Sequence, residues 1–293
     1  MGLTGRQFLI RAADAEATVV EVGAGLRRFA VGGVDVSATY PDGVLAPKCC
    51  GGVLVPWPNR LRGGRYRFGG EQFQLALTEP AAGNAIHGLG RWERWEVVGH
   101  EPSRVTLGLD VVPQSGWPFE VRVEVTYALG ADGLGVTLAA TNTGERPAPF
   151  GAGCHPYLST RGAALADVVL TVPAERHVVV DAAQIPVRTE PVAGGDFDFR
   201  AGRVLGGQRL DDGFTALTGR EARVDGPHGG ARLWFDDSVR YLQAFTVEDL
   251  AGGGPAVALE PMTCAADAFN SGDGLVVLEP AQSFAFAWGI APA

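Results

Sequence analysis

Apolar side chains at every second position are the strongest constraint this sequence places on its fold. Val105, Leu107, Leu109 and Val111 alternate with Thr106, Gly108 and Asp110, and Val121, Val123, Val125 and Tyr127 alternate with Arg122, Glu124 and Thr126. After a turn at Ala131-Asp132-Gly133, Val136, Leu138 and Ala140 repeat the pattern. Successive strand residues point to opposite faces, so each segment buries one face and wets the other, as antiparallel strands do. Further strands are expected at Ala17–Val22, Gly64–Phe68, Val168–Val172, Ala231–Phe235, Gln243–Val247, Ala256–Glu260 and Ser283–Ile290. No segment longer than about ten residues keeps a helical apolar stripe free of Gly and Pro. The 42 glycines and 19 prolines fall singly or in pairs at short intervals, marking turns and not a linker. No composition break or fixed-period repeat divides the chain. The reading is one all-β domain over residues 1–293, built as a large antiparallel sandwich.

Composition excludes several functions. Hydrophobic residues make up 46% and charged residues 19%, enough for a sizeable core. A net charge of −9 argues against a nucleic-acid partner, which calls for a basic field. No apolar run approaches the roughly 18 residues of a membrane-spanning helix. Residues 1–20 carry Arg6, Arg11, Asp14 and Glu16 and lack an apolar signal-peptide centre, so a cytoplasmic location is expected. Cys49, Cys50, Cys154 and Cys264 show no paired spacing and read as buried small apolar residues. Lys48 is the single lysine, with no phosphate-cradling loop beside it, which discounts Schiff-base chemistry. Gly151-Ala152-Gly153 starts a dinucleotide fingerprint, but Pro156 stands where its third glycine belongs. The five histidines show no HxH or HxxxH spacing, and no metal or cofactor is expected.

What remains is a set of polar residues in apolar or stiff settings. His155 lies in Phe150-Gly151-Ala152-Gly153-Cys154-His155-Pro156-Tyr157, and the proline holds it extended. A core histidine satisfied by backbone is the plainer reading, but one imidazole in an apolar wall also suits a tuned acid or base. Ala256-Val257-Ala258-Leu259 runs into Glu260-Pro261, and a carboxylate ending a buried strand costs free energy unless it is paired or faces a cleft. Glu279-Pro280 repeats the dipeptide after another apolar run, so composition alone does not choose between the two. His87 sits in a turn-rich loop, and Arg60 follows Pro56-Trp57-Pro58-Asn59, a stiff frame for a guanidinium fork. Arg65 and Arg67 alternate with Tyr66 and Phe68 and read as a solvated strand face. Asp211 and Asp212 alone read as a turn.

Taken in order, Pro58-Asn59-Arg60, Ile86-His87-Gly88, His155-Pro156-Tyr157, Leu210-Asp211-Asp212-Gly213-Phe214 and Leu259-Glu260-Pro261 resemble the aldose 1-epimerase (galactose mutarotase) family. The resemblance runs from about Gly23 to Gly289. It implies a β-supersandwich with a sugar cleft across one sheet and no metal or cofactor. It implies that His155 is the general acid at the ring oxygen and Glu260 the general base at the anomeric hydroxyl. His87 would assist or orient the sugar, while Arg60, Asp211 and Asn59 would bind it. Gln114-Ser115-Gly116-Trp117-Pro118 matches a binding loop approximately, placing Trp117 in the cleft. The implied substrate is a free hexose such as galactose or glucose, since the binding residues are few and mixed in sign. A sugar phosphate, a non-catalytic carbohydrate-binding sandwich and a two-carboxylate glycoside hydrolase are the alternatives.

Overall fold

A computed structural model describes residues 2–293. Each strand expected from alternation is present, its ends within three residues of the expected ones. The alternation missed most of an N-terminal four-stranded sheet, Gln7–Ala12, Ala15–Val20, Leu26–Val31 and Val34–Asp35. Among the described residues helix is confined to Ala268–Ser271 and two short 3-10 turns. None of it is long and apolar enough to cross a membrane.

Two large antiparallel sheets carry the molecule. The nine-stranded sheet runs Glu96–Glu101, Arg104–Val111, Val121–Gly130, Gly133–Asn142, Ser283–Pro292, Gly229–Phe235, Glu221–Gly226, Val169–Thr171 and Arg203–Val204. The eight-stranded sheet runs Pro186–Pro191, Ala174–Val180, Asp211–Leu217, Tyr241–Val247, Ala256–Met262, Gly153–Cys154 and Val53–Leu54, with Tyr157–Ser159 also paired to Ala256–Met262. Val121, Val123, Val125 and Tyr127 of the first sheet share one core with Leu242, Ala244, Val257 and Leu259 of the second. Both inner faces are therefore apolar, as the alternation requires.

Parity then decides what the other face of the eight-stranded sheet presents. Gln243 pairs with Glu260 on one side and Gly213 on the other, and Gly213 pairs with Val178. These four form a row across four strands, pointing away from the core that holds Leu242 and Leu259. Asp211 pairs with Phe245 in the next row and shares that face. Asp212 points the opposite way, where its carboxylate meets His177 Nε2 at 2.7 Å. The sheet thus offers one aspartate of the pair to the outer face.

Candidate active site

Glu260 is held on the strand Ala256–Met262, every residue of which is buried. Its Oε1 lies 3.3 Å from His155 Nε2. His155 is fixed by its own backbone, accepting from Gly51 N and donating to Gly52 O, and its ring stacks on Tyr157 at 5.1 Å. The neighbouring Cys154 turns into the core, so consecutive residues serve opposite faces. His155 Nδ1 and Glu260 Oε2 are buried with no hydrogen-bond partner in the protein.

His87 closes the group, its ring edge-on to His155 at 5.4 Å. The loop reading of its sequence holds, but the imidazole is buried and not at the surface. Asn59 and His87 both have left-handed backbones, φ +54° and +62°, and lock together: His87 N donates to Asn59 O, and Asn59 N donates to His87 Nδ1. That second bond fixes the tautomer. Nδ1 is an acceptor, so the neutral ring carries its proton on Nε2.

Burial sets the proton inventory. It drives His155 down to about 3, the Arg91 charge adding to the effect. It also pushes the Glu260 carboxyl well above the ordinary carboxylate range, with Asp211 nearby reinforcing the shift. His87 is likewise held well below an ordinary imidazole by burial and by the charges around it. Both directions favour a shared proton on Glu260 over His155, the reverse of the ionised Glu and protonated His that the acid and base roles suggest. Moving that proton across the 3.3 Å contact produces the ion pair without exchange with solvent.

Arg60 reaches the same cleft but is already engaged. Its guanidinium grips Glu79 through Nε and Nη2 at 3.0 Å and touches Asp211 at 3.5 Å. Gln243 Nε2 donates to Asp211 at 2.7 Å. Around these groups lies an open cleft of about 310 Å³, near the lower end of small-ligand sites at about 300–1,000 Å³. It narrows into a side cavity floored by Gly213 and walled by Val178 and Met262. One donor atom each from His87, His155 and Glu260 lies within 4.8 Å of the others, so these three are also where a divalent ion would sit.

The sequence reading and the cleft differ at several residues. Trp117 does not line it: its side chain is fully buried against Phe119 and Phe269, in the core. An indole flanked by turn residues looks like a loop platform in sequence, whereas here the turn Gln114–Trp117 tucks the ring inward. Cys49 is not a core thiol but part of the cleft wall. Gln243, Glu79 and Arg91 also line the cleft and were not singled out as candidates, and Lys48, weighed only for Schiff-base chemistry, lines it too. Gln243 was detectable as the one polar residue in Tyr241-Leu242-Gln243-Ala244-Phe245. Glu279, the competing Glu-Pro carboxylate, is exposed and does not line the cleft.

The model for the aldose 1-epimerase family matches residues 6–290. The chain belongs to that family. Among its relatives, the Escherichia coli K12 protein YihR is 33% identical over 281 residues, covering 95% of this chain and 91% of that one. The aldose 1-epimerase of Escherichia coli K12 is 26% identical over 249 residues, covering 75% and 71% respectively. A crystal structure of a galactose mutarotase-like protein from Clostridium acetobutylicum superposes with a TM-score of 0.86 at 17% identity, covering 97% and 94%. That likeness concerns the fold, and it matches the supersandwich expected from the sequence.

Proposed function

We propose that this epimerase-family chain interconverts the α and β anomers of a hexose by acid/base ring opening, in the cytoplasm. The observation that carries the reading is the buried contact between His155 Nε2 and Glu260 Oε1, 3.3 Å apart and opening on a sugar-sized cleft. Both groups can reach one ring at hydrogen-bond range.

In the reactive ion-pair form, the Glu260 carboxylate takes the proton of the C1 hydroxyl. C1–O1 becomes a carbonyl, the C1–O5 bond breaks, and O5 takes the proton from His155. Rotation about C1–C2 turns the aldehyde over. On reclosure O5 returns its proton to His155, and the new O1 takes one from Glu260. Atoms and charge balance, and the pair ends as it began. His87, with its proton on Nε2, donates to a sugar oxygen, while Asp211, Gln243 and Asn59 meet hydroxyls. Each acid or base is worth about 10²–10⁴-fold.

Reduced, unpaired cysteines agree with the proposed compartment. The hydrolase reading would need two carboxylates flanking the bond, but here Glu260 is matched with an imidazole. The test is anomer exchange followed by polarimetry or NMR across a panel of free and substituted hexoses. Glu260→Gln and His155→Asn should each lower the rate by at least about a hundredfold. Exchange no faster than the spontaneous reaction on every sugar would reject the assignment.

A further inference from the structure

The row of side chains on the outer face of the eight-stranded sheet continues beyond Glu260. His155 lies between Gly153–Cys154 and Tyr157–Ser159, which both pair with Ala256–Met262 along one edge. Along the other edge Gln243 pairs with Glu260, Gly213 with Gln243 and Val178 with Gly213. The order across the face is therefore His155, Glu260, Gln243, Gly213 and Val178, at about 4.8 Å from strand to strand. Gly213 puts a gap in that row, and the side cavity lies over it. Val178, Val180, Pro186, Met262 and Ala265 make its walls apolar. It holds about 30 Å³, room for a pair of waters at about 10–15 Å³ each. Gln243 brings a polar atom to this space. Its Nε2 is spent on Asp211 at 2.7 Å, and its Oε1 overhangs the gap, 3.2 Å from where a carbon on Gly213 would stand. The residue is only 5% exposed, and among the described residues nothing donates to Oε1.

We propose that this side cavity takes the acetyl group of a 2-acetamido-2-deoxyhexose, so that such sugars are the preferred substrates. The inference rests on the anomer-exchange reading and narrows its substrate. Ring connectivity selects C2. With Glu260 at O1 and His155 at O5, C1 bonds to O5 on the His155 side, and its other ring neighbour, C2, lies on the Gln243 side. A C2 substituent directed along the row meets Gln243 first and the gap at Gly213 next. The amide N–H then donates to Gln243 Oε1, and the methyl group enters between Val178 and Met262. Asn59 stands at the rim shared with the main cleft, its Oδ1 taken by Arg60 N at 2.8 Å and its Nδ2 left to donate to the acetyl carbonyl. An acetyl group has three heavy atoms and matches the space, whereas a second sugar ring exceeds it. A bare C2 hydroxyl reaches Oε1 but leaves the apolar walls to water.

Matched pairs decide it: glucose with N-acetylglucosamine and galactose with N-acetylgalactosamine, each assayed for anomer exchange and for binding by calorimetry. At least one acetamido sugar should exceed its parent in kcat/KM by about tenfold or more. Gly213→Ala adds a carbon 3.2 Å from Gln243 Oε1 and 3.3 Å from Val178 Cβ, at a glycine whose backbone is not left-handed. It should lower the acetamido-to-parent ratio by at least about tenfold. Ala266→Leu fills the cavity from its half-buried side, where the fold tolerates added bulk, and should lower the ratio in the same direction. That variant decides the matter should Gly213→Ala fail to fold. Acetamido sugars no better than their parents, or a ratio indifferent to both variants, would overturn the proposal while leaving exchange of the parent sugars intact. Should no sugar be turned over, the anomer-exchange reading fails by itself and calorimetry decides this one. Tighter binding of the acetamido sugar, lost when the cavity is filled, upholds it. Equal binding, or tighter binding that both variants retain, rejects it.

Discussion

A carboxyl group whose pKa is raised by burial loses stability for the fold as pH climbs above the ordinary carboxylate range, and Glu260 is such a group. In the unfolded chain it ionises near the ordinary carboxylate value, while the folded chain resists ionisation until higher pH. Its contribution to stability is therefore full in acid and is lost as pH rises through the raised folded value. Glu260→Gln removes that loss: at pH 7–8 it should melt higher than the native chain, by about 2–4 °C for each kcal/mol relieved, with the gap closing toward pH 4. Melting curves at several pH values check this, and a lower Tm at pH 8 would refute it. The same directions define the rate profile. The active form is the pair with one proton, so the acid limb of kcat/KM reports a second proton on that pair and the alkaline limb its last. Because His155 is pushed down to about 3 and Glu260 is raised, the plateau should run well below the ordinary imidazole value of about 6.5. An acid limb near pH 6.5 would contradict it. From the residues alone the limbs are assigned the other way round, because solvated values put the proton on histidine. Residue types were legible in the sequence; the burial that reverses their order was not.

Alternation also gave the strands, and with them the parity that sends Glu260 and Gln243 to one face and Leu259 and Leu242 to the other. The loops that complete the site follow different rules. Asn59 and His87 hold each other through left-handed backbones, a conformation that few non-glycine residues adopt and that no apolar pattern signals. Gly88 makes the arrangement possible. At φ +69°, a Cβ there would stand 1.9 Å from Val55 O, inside any allowed contact. Gly88→Ala should therefore cost at least about 2–3 kcal/mol, combining left-handed strain with a backbone clash, and should lower kcat by displacing His87. Gly69→Ala separates the two causes, since Gly69 has φ +58° but nothing within 4 Å of the added carbon. It should cost about 1 kcal/mol and leave kcat alone. Urea titrations of the two variants give the comparison, and equal losses would show that strain alone governs both. Trp117 teaches the converse lesson. A turn-flanked indole and a core indole look alike until packing against Phe119 and Phe269 is seen.

The two large sheets divide the work of the molecule. The cleft lies on the outer face of the eight-stranded sheet, and the nine-stranded sheet meets that sheet through the shared core. Polar residues can then gather on the outer face because the apolar layer behind them supplies the burial that holds their strands flat. Tyr127 tests whether these duties are separable. It is fully buried on Val121–Gly130, and its hydroxyl donates to Ala24 O at 2.7 Å, tying the nine-stranded sheet to the chain just after the N-terminal strand Ala15–Val20. Tyr127→Phe removes that donor and leaves a buried carbonyl short of a partner, which should cost about 1–3 kcal/mol. It is not among the residues lining the cleft. Chemical denaturation should show the lost stability with an unchanged m-value, while kcat/KM and its pH limits stay within about twofold of the native chain. A change in the pH limits would mean that the platform sheet also sets the burial of His155 and Glu260, and that the outer-face chemistry cannot be tuned apart from the core beneath it.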